Sequence, residues 1–362
     1  MTSSNPNVID FPAPRFRQEQ TPVYELDSES ILFIDWLTIR QAHEGGGLPL
    51  VIQGYKFDTE EDGEINYQIA KRRALVGSYD DTMHLRCDGN TIEFHGNISR
   101  WERPDNVFGY SWDETIRRVN QLLNLYSLPP FTVGQRLRFA DKGHIYTGAR
   151  VSRIDITKNF ACFSEQDARQ YMLKMAGHHI GRQKGSVTPD GMTIEYGRGS
   201  KYVYGKLYMK HAELESHRKR KSGSHVGQDV VDFCRSVGIV REEMELKSRF
   251  LTQQQICWLA QINSEVLEEI YRERSQVRGV KNMSYEDTTE LSSAARGTLA
   301  RYEKGEPLNL SRPTFYRHRN ELLKAGYPDI GIANNVVALR PNIKVIEVQA
   351  MCAPDWYRKK YG

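Results

Sequence analysis

No stretch of this 362-residue chain is apolar over a length that would span a bilayer as a helix. The opening residues, Met1-Thr-Ser-Ser-Asn-Pro-Asn7, lack the basic and apolar regions of a signal peptide, which predicts a cytoplasmic protein without a membrane partner. Cysteine is scarce: Cys87, Cys162, Cys234, Cys257 and Cys352 are odd in number and form no CxxC pair. That argues against a disulfide framework and against a cysteine zinc site, and it suits a reducing compartment. The chain shows no internal repeat. An excess of charge is missing too, since the net value of +4 selects no partner by itself. The distribution of charge is more telling than its sum.

From Arg198 to Lys221 there are eight Lys or Arg against Glu213 and Glu215, ending in Arg218-Lys219-Arg220-Lys221. Within this stretch lies Tyr202-Val-Tyr-Gly-Lys-Leu-Tyr-Met-Lys210. Side chains alternate between the two faces of an extended strand. One face then carries Val203, Gly205, Leu207 and Met209, an apolar set fit for a core. The other carries Tyr202, Tyr204, Lys206, Tyr208 and Lys210, phenols set among ammonium groups. A basic surface beside aromatic side chains points to nucleic acid. An ordinary half-buried strand with a wet aromatic face is the alternative reading of the same pattern.

The alternation rule places carboxylates as well. In Thr91-Ile-Glu-Phe-His95, Ile92 and Phe94 point inward, leaving Glu93 and His95 outside. In Ser152-Arg-Ile-Asp-Ile156 the outward pair is Arg153 and Asp155. In Val240-Arg-Glu-Glu-Met-Glu-Leu-Lys247 it is Glu243 and Glu245, with Lys247. If these strands are neighbours, several acids and tyrosines share one floor. Gathered carboxylates repel unless a hard cation such as Mg²⁺ or Mn²⁺ offsets them through oxygen ligands. Separate ion pairs with Arg153, Lys247 and other cations are the competing expectation.

Strand patterns recur at 31–40, 65–76, 82–87, 91–95, 151–160, 191–197, 201–210 and 237–250. Helical spacing marks Trp112–Tyr126, then Ser164 to Ala176 with a Ser164/Asp167 capping box, and 253–274. Residues 218–228 read as a polar connection and 275–290 as a linker or loop. Mixed strands and helices without strict alternation predict an α+β fold, a largely antiparallel central sheet flanked by helices, with a small, mostly helical C-terminal domain. Residues 1–25, with Pro6, Pro12, Pro14 and Pro22 and no periodicity, read as a disordered tail.

Four stretches in order carry a family likeness: Ile92-Glu-Phe-His-Gly-Asn97 with Asn106-Val-Phe-Gly109, Val151-Ser-Arg-Ile-Asp-Ile156, Leu207-Tyr-Met-Lys-His-Ala-Glu-Leu214, and Val240-Arg-Glu-Glu-Met-Glu-Leu-Lys-Ser-Arg249. With Ile34-Asp-Trp-Leu-Thr-Ile-Arg40, they resemble the gene-two replication initiators of filamentous phages, and the related Rep proteins of rolling-circle plasmids. The likeness spans about residues 30–255. It implies a metal-dependent nicking and joining endonuclease acting on single- and double-stranded origin DNA, alongside a host helicase and polymerase. A tyrosine attacks the phosphodiester, leaving a 5′-phosphotyrosine and a priming 3′-hydroxyl. By position the nucleophile is Tyr208, with Tyr204 as competitor and Lys210 steadying the phosphate. Glu93, Asp155 and Glu243, or Glu245 in place of Glu243, would hold Mg²⁺ or Mn²⁺. Arg153, Arg198, Lys201 and Lys206 would grip DNA. The His-hydrophobic-His metal pair of another rolling-circle class is missing, so carboxylates must serve. A non-cutting, sequence-specific DNA-binding regulator is the alternative.

Under this reading the nicking domain spans 26–255, a helical region 256–345, and a tail 346–362. Within the helical region, 305–325 resembles a helix-turn-helix segment. Ser311 caps its helix, Pro313 sits in the first turn, and Phe315, Leu322 and Leu323 pack inward. Arg312, Arg317 and Arg319 then face DNA. Simple packing of an amphipathic helix on the first domain is the alternative.

Overall fold

The computed structural model describes residues 32–59, 65–79, 81–139, 143–176, 179–180, 183–184, 186–220, 225–275, 277, 282–286, 291–303, 306–325, 330 and 343–361. The tail expected over 1–25 lies outside them. The chain divides into two compact units, one of 1–279 with 349–362 and the other of 280–348. The expected boundaries at 255 and 345 shift for a physical reason. Helix Ser264–Arg274 docks on the first unit, where Tyr271 donates a hydrogen bond to Glu242 and Lys158 bonds Glu268. The segment expected as a tail returns to the same unit. Its strand Gln349–Met351 pairs with Arg150–Ala161, and Tyr357 is fully buried. Among the described residues no helix is long and apolar enough to cross a membrane.

The fold is α+β. In the first unit the described strands build a ten-stranded sheet, antiparallel at every pairing. At its centre, strand Val203–Met209 pairs with Ile239–Lys247, which pairs with Arg150–Ala161, then Phe33–Ala42, then Thr91–Gly96 and Thr82–Cys87. One face carries Leu37, Phe94, Ile154, Leu207, Met244 and Leu246, all buried. Helices Glu165–Ala176 and Ser264–Arg274 cover this face, the first through the Tyr196 hydroxyl on the Met175 carbonyl. The opposite face holds the polar side chains. The hairpins Tyr55–Thr59 with Ile65–Ala70, and Arg136–Phe139 with Gly143–Tyr146, stand apart from the sheet.

Most expected elements form, including helix Trp112–Leu125 and the Ser164 cap, whose hydroxyl accepts the Asp167 amide at 3.0 Å. Several segments differ. Strand Val203–Met209 ends before Lys210, where helix Lys210–Arg220 begins. Its residues are helix formers with a Lys210–Glu213 pair three apart and a Glu213–His217 pair four apart. No glycine or proline interrupts it, so residues 218–220 of the expected connection are helical, and its last residue opens helix Gln228–Ser236. The helix expected over 253–274 is broken instead. Gln255 adopts φ +57°, Trp258 pairs in extended form with Arg150, and Asn263 caps a new start by accepting the Val266 amide. Within the expected linker 275–290, Asn282–Glu286 forms a strand with Ile343–Glu347 in the second unit.

Candidate active site

The polar face acquires its chemistry where strand Val203–Met209 meets Ile239–Lys247. Their register opposes Tyr204 with Glu245, Lys206 with Glu243 and Tyr208 with Arg241. Glu243 is therefore a diagonal neighbour of Tyr208, close enough for long side chains to meet. The Tyr208 hydroxyl donates to the Glu243 carboxylate. Tyr208 is only 7% exposed. Burial, and then the Glu243 charge, push its phenol well above the usual range. Burial, and then the neighbouring Asp35 charge, push Glu243 upward as well. A protonated phenol resting on a carboxylate of raised basicity is an arrangement in which the carboxylate can take the phenol's proton.

Asp35 reaches this site through a β-bulge. Ile34 opposes Ile156 and Trp36 opposes Asp155, so Asp35 is the extra residue. A bulge re-aims a side chain that strict alternation would bury. Asp35 Oδ1 accepts from Asn97 Nδ2 at 2.7 Å and from Asn106 Nδ2 at 3.2 Å. Asn106 Oδ1 in turn accepts from Lys210 Nζ at 2.9 Å. Arg241, fully buried, donates to the Asn106 carbonyl at 2.8 Å and to Asn159 at 2.9 Å, and it lies 3.8 Å from Glu243. Reading strands by alternation missed Asp35, Asn106 and Arg241 as site residues. Their one signal was a break of phase: Asp35 falls in step with the apolar Leu37 and Ile39, which marks an irregular strand.

The cleft in front of Tyr208 has a volume of about 510 Å³. Its lining includes the carboxylates of Asp35, Asp190, Glu195, Glu213 and Glu243, against Arg100 and Lys206 as permanent cations. Although burial works against it, the Lys210 ammonium and a His217 hydrogen bond hold Glu213 far below the usual carboxylate range. That leaves Asp35 and Glu243 as the acids beside the phenol, sharing the single buried Arg241 guanidinium. Their all-oxygen donors are the kind Mg²⁺ and Mn²⁺ select. Among the described residues no group of three or more His, Cys, Asp or Glu is arranged as a metal site; a cation beside Asp35 and Glu243 would have to take its other ligands from water or phosphate. Magnesium is commonly held in this way.

The remaining expected site residues occupy other places. Tyr204 lies outside the cleft and donates to Glu195 at 2.6 Å; burial, and then Glu195, raise its phenol. Lys206 and Lys247 stand 5.4 and 5.7 Å from its ring centre. Lys210 is fully buried and held by Asn106 and Glu213, so it braces the site rather than reaching out. Asp155 and Glu245 are cross-strand partners bridged by Arg153, which bonds Asp155 at 2.8 and 2.6 Å and lies 3.4 Å from Glu245. Burial pushes Asp155 up to about 7 despite that partner. Arg153 is thus engaged with two acids and the Trp36 ring.

Glu93 shares the face but not the site. It opposes Arg40, four residues beyond the Trp36 row, which is roughly 13 Å along the strand at about 3.3 Å per residue. There it is 8% exposed and paired with Arg72 at 2.7 Å and Arg86 at 3.2 Å. Register therefore keeps Glu93 from converging with Glu243; Asp155 is a diagonal neighbour of Glu243 but is held by Arg153, and Asp35 is the acid that lines the cleft with Glu243. Arg198, with a side chain 78% exposed, lies near Glu195, and Lys201 is exposed.

In the second unit, helix Arg312–Lys324 leaves Arg312 and Arg317 exposed and Arg319 half-buried. Phe315, His318 and Leu322 face inward, with His318 bonded to Thr298 at 2.8 Å, while Leu323 is 41% exposed. Leu323, expected to pack, falls one step past the inward row. Residues 304–311 separate this helix from Ser293–Glu303, a longer connection than the roughly three- or four-residue turn of a helix-turn-helix.

Two family models together match most of the chain. The N-terminal region of the gene II replication-associated protein matches residues 33–269, and the C-terminal region of the same protein matches 283–361. The chain is 25% identical over 307 residues to the gene II replication-associated protein of Escherichia phage If1, covering 74% of this chain and 95% of that protein.

Proposed function

Because this chain belongs to the gene II family of replication-associated proteins, we propose that it starts rolling-circle replication by cutting one strand of origin DNA, with Tyr208 as the nucleophile. The Tyr208 phenol aimed at the Glu243 carboxylate, inside a cleft that also presents Asp35, carries this reading.

The proton balance follows from that pair. As Tyr208 Oη forms its bond to phosphorus, its proton passes to Glu243. The bond from phosphorus to the 3′ oxygen breaks, and that oxygen takes a proton from water to become a free 3′-hydroxyl. The product is a phosphodiester between Tyr208 and the 5′ end. One phosphodiester replaces another, so rejoining is the same path reversed and needs no external energy source. A 3′-hydroxyl then attacks the tyrosyl linkage, and Tyr208 recovers a proton from Glu243. A Mg²⁺ or Mn²⁺ ion held by Asp35 and Glu243 would neutralise charge on the attacked phosphate and admit it to an acidic cleft. Lys206 lines the cleft as a phosphate contact, while Lys210, Asn106 and Arg241 position Asp35 and Glu243. The free 3′-hydroxyl would prime a host polymerase, with a host helicase opening the duplex ahead.

Incubating the full chain with supercoiled origin plasmid and Mg²⁺ should convert it to open circles and give a protein–DNA adduct that survives denaturant. Salt-sensitive binding with neither product would instead mark a non-cutting DNA-binding regulator. Glu93→Gln supplies a sharper check on the metal set. With Glu93 serving Arg72 and Arg86 and lining no part of the cleft, adduct formation should stay within about threefold of wild type, as distant sites act independently. Loss of the adduct in that variant would return Glu93 to the active site.

A further inference from the structure

One row across the polar face is built differently from the nicking cleft. Trp258 pairs with Arg150, Arg150 with Arg40, Arg40 with Glu93, and Glu93 with Arg86. Glu93 is engaged by Arg72 and Arg86. Arg40 and Arg150 therefore face each other directly across two strands; Glu93 stands opposite Arg40 but turns its two oxygens to Arg72 and Arg86, and among the described residues no carboxylate lies within ion-pair distance of either arginine. Like charges set directly opposite destabilise a sheet. Arg40 is exposed, and the half-buried Arg150 lies 5.8 Å from the Trp258 ring centre. Trp258 in turn sits 6.3 Å from Tyr146, whose hairpin partner is the exposed Arg136. The row thus runs on into the Arg136–Phe139 hairpin.

The geometry points to this arginine row as a second DNA-binding site, one that takes the phosphate backbone of duplex DNA flanking the cut. The inference rests on the reading above that the chain acts on origin DNA, and it adds where the uncut duplex is held. Guanidinium groups match phosphate oxygens in pairs, and a polyanion offsets the Arg40–Arg150 repulsion that the protein alone leaves. Trp258 and Tyr146 lie against Arg150 and each other, so the row presents charge rather than open rings. That favours a stacked duplex over single-stranded bases, which need aromatic platforms. Its distance from the nucleophile suits one continuous ligand. Arg150 and Asn159 lie nine residues apart on one strand, about 30 Å at roughly 3.3 Å per residue, and Asn159 is level with Arg241 and Tyr208. At about 3.4 Å per base pair this corresponds to about nine base pairs of duplex.

The test is a salt titration of binding by the full chain to a duplex origin fragment, comparing wild type with two variants. Arg150→Glu places a carboxylate opposite Arg40, so it should melt no lower than wild type, while its affinity for duplex falls tenfold or more. Arg40→Gln with Arg150→Gln should flatten the plot of log affinity against log salt by about two, at about 0.9 for each phosphate no longer neutralised. Wild-type affinity and slope in both variants would overturn the site, and so would an equal loss on a short single strand, which would show that the row does not select duplex. Adduct formation by the wild-type chain on a single-stranded oligonucleotide covering only the cut site tests the nicking reading by itself. Failure of the row and failure of the nicking reading are thereby distinguished.

Discussion

Tyr208→Phe is expected to eliminate the covalent adduct and open-circle formation while leaving salt-sensitive DNA binding in place. The substitution removes one oxygen, the only atom on that ring able to attack phosphorus, so the loss should reach the detection limit of a denaturing gel. Tyr204→Phe should keep adduct formation within a few fold, because Tyr204 does not line the cleft and its hydroxyl donates to Glu195 rather than to Glu243. An adduct absent from Tyr204→Phe and kept in Tyr208→Phe would move the nucleophile to the other end of the strand and leave the class of reaction intact. Glu243→Gln belongs to the same prediction. Removing a positioned general base costs about 10²- to 10⁴-fold.

The pH dependence has a definite sign. Glu243 accepts a proton only when ionised, and burial with Asp35 beside it raises its pKa above the ordinary 4.5. Nicking should therefore climb with pH as Glu243 ionises, at a midpoint that a bound divalent cation lowers, and the Glu243→Gln variant should lose that rise. A Glu243→Gln variant that keeps the wild-type pH profile would contradict the assignment of the base.

Removal of residues 349–362 is expected to lower the melting temperature of the chain by about 10 °C and to abolish nicking. The Tyr357 hydroxyl accepts from Arg103 Nη2 at 2.7 Å and donates to Asp105, and its ring packs 5.0 Å from that of Phe108. Arg103 and Asp105 are almost fully buried. Without Tyr357 both charges lose a buried partner, a situation that costs about 3–5 kcal/mol. For a unit of this size each kcal/mol shifts the melting point by roughly 2–4 °C. The damage extends to the site because Asn106, which holds Asp35 and Lys210, follows Asp105 directly. Tyr357→Phe, which deletes only the hydroxyl, should cost about 1–3 kcal/mol. A truncated chain that melts and cuts like the full one would show that the C-terminal helix merely rests on the domain.

Most strands of the central sheet were legible, and so was the face each side chain occupies, because alternation is a local property of extended backbone; Asn282–Glu286 and Gln349–Met351, read as linker and tail, were not. Tyr208, Glu243, Asp155 and Glu93 do share a face, as their spacing indicates. Helix Lys210–Arg220 was missed because its first residue continues the Tyr/Lys alternation without interruption. What ends the strand there is the run of helix-forming residues beyond it, together with burial of Lys210 against Asn106. The C-terminal segment read as a tail because it is short; its binding groove on the domain is made by Arg103, Asp105 and Phe108, far away in the chain.

By itself, the order of residues determined which side chains lie on the wet side of each strand, and hence that phenol and carboxylate have the chance to meet. Only the assembled sheet decided which of them do. A side chain's face depends on its own strand, whereas distance across a sheet depends on register, and register is set by neighbours remote in sequence. One inserted residue at Asp35 turned an acid into the cleft, and a four-residue offset carried Glu93 to a row of arginines.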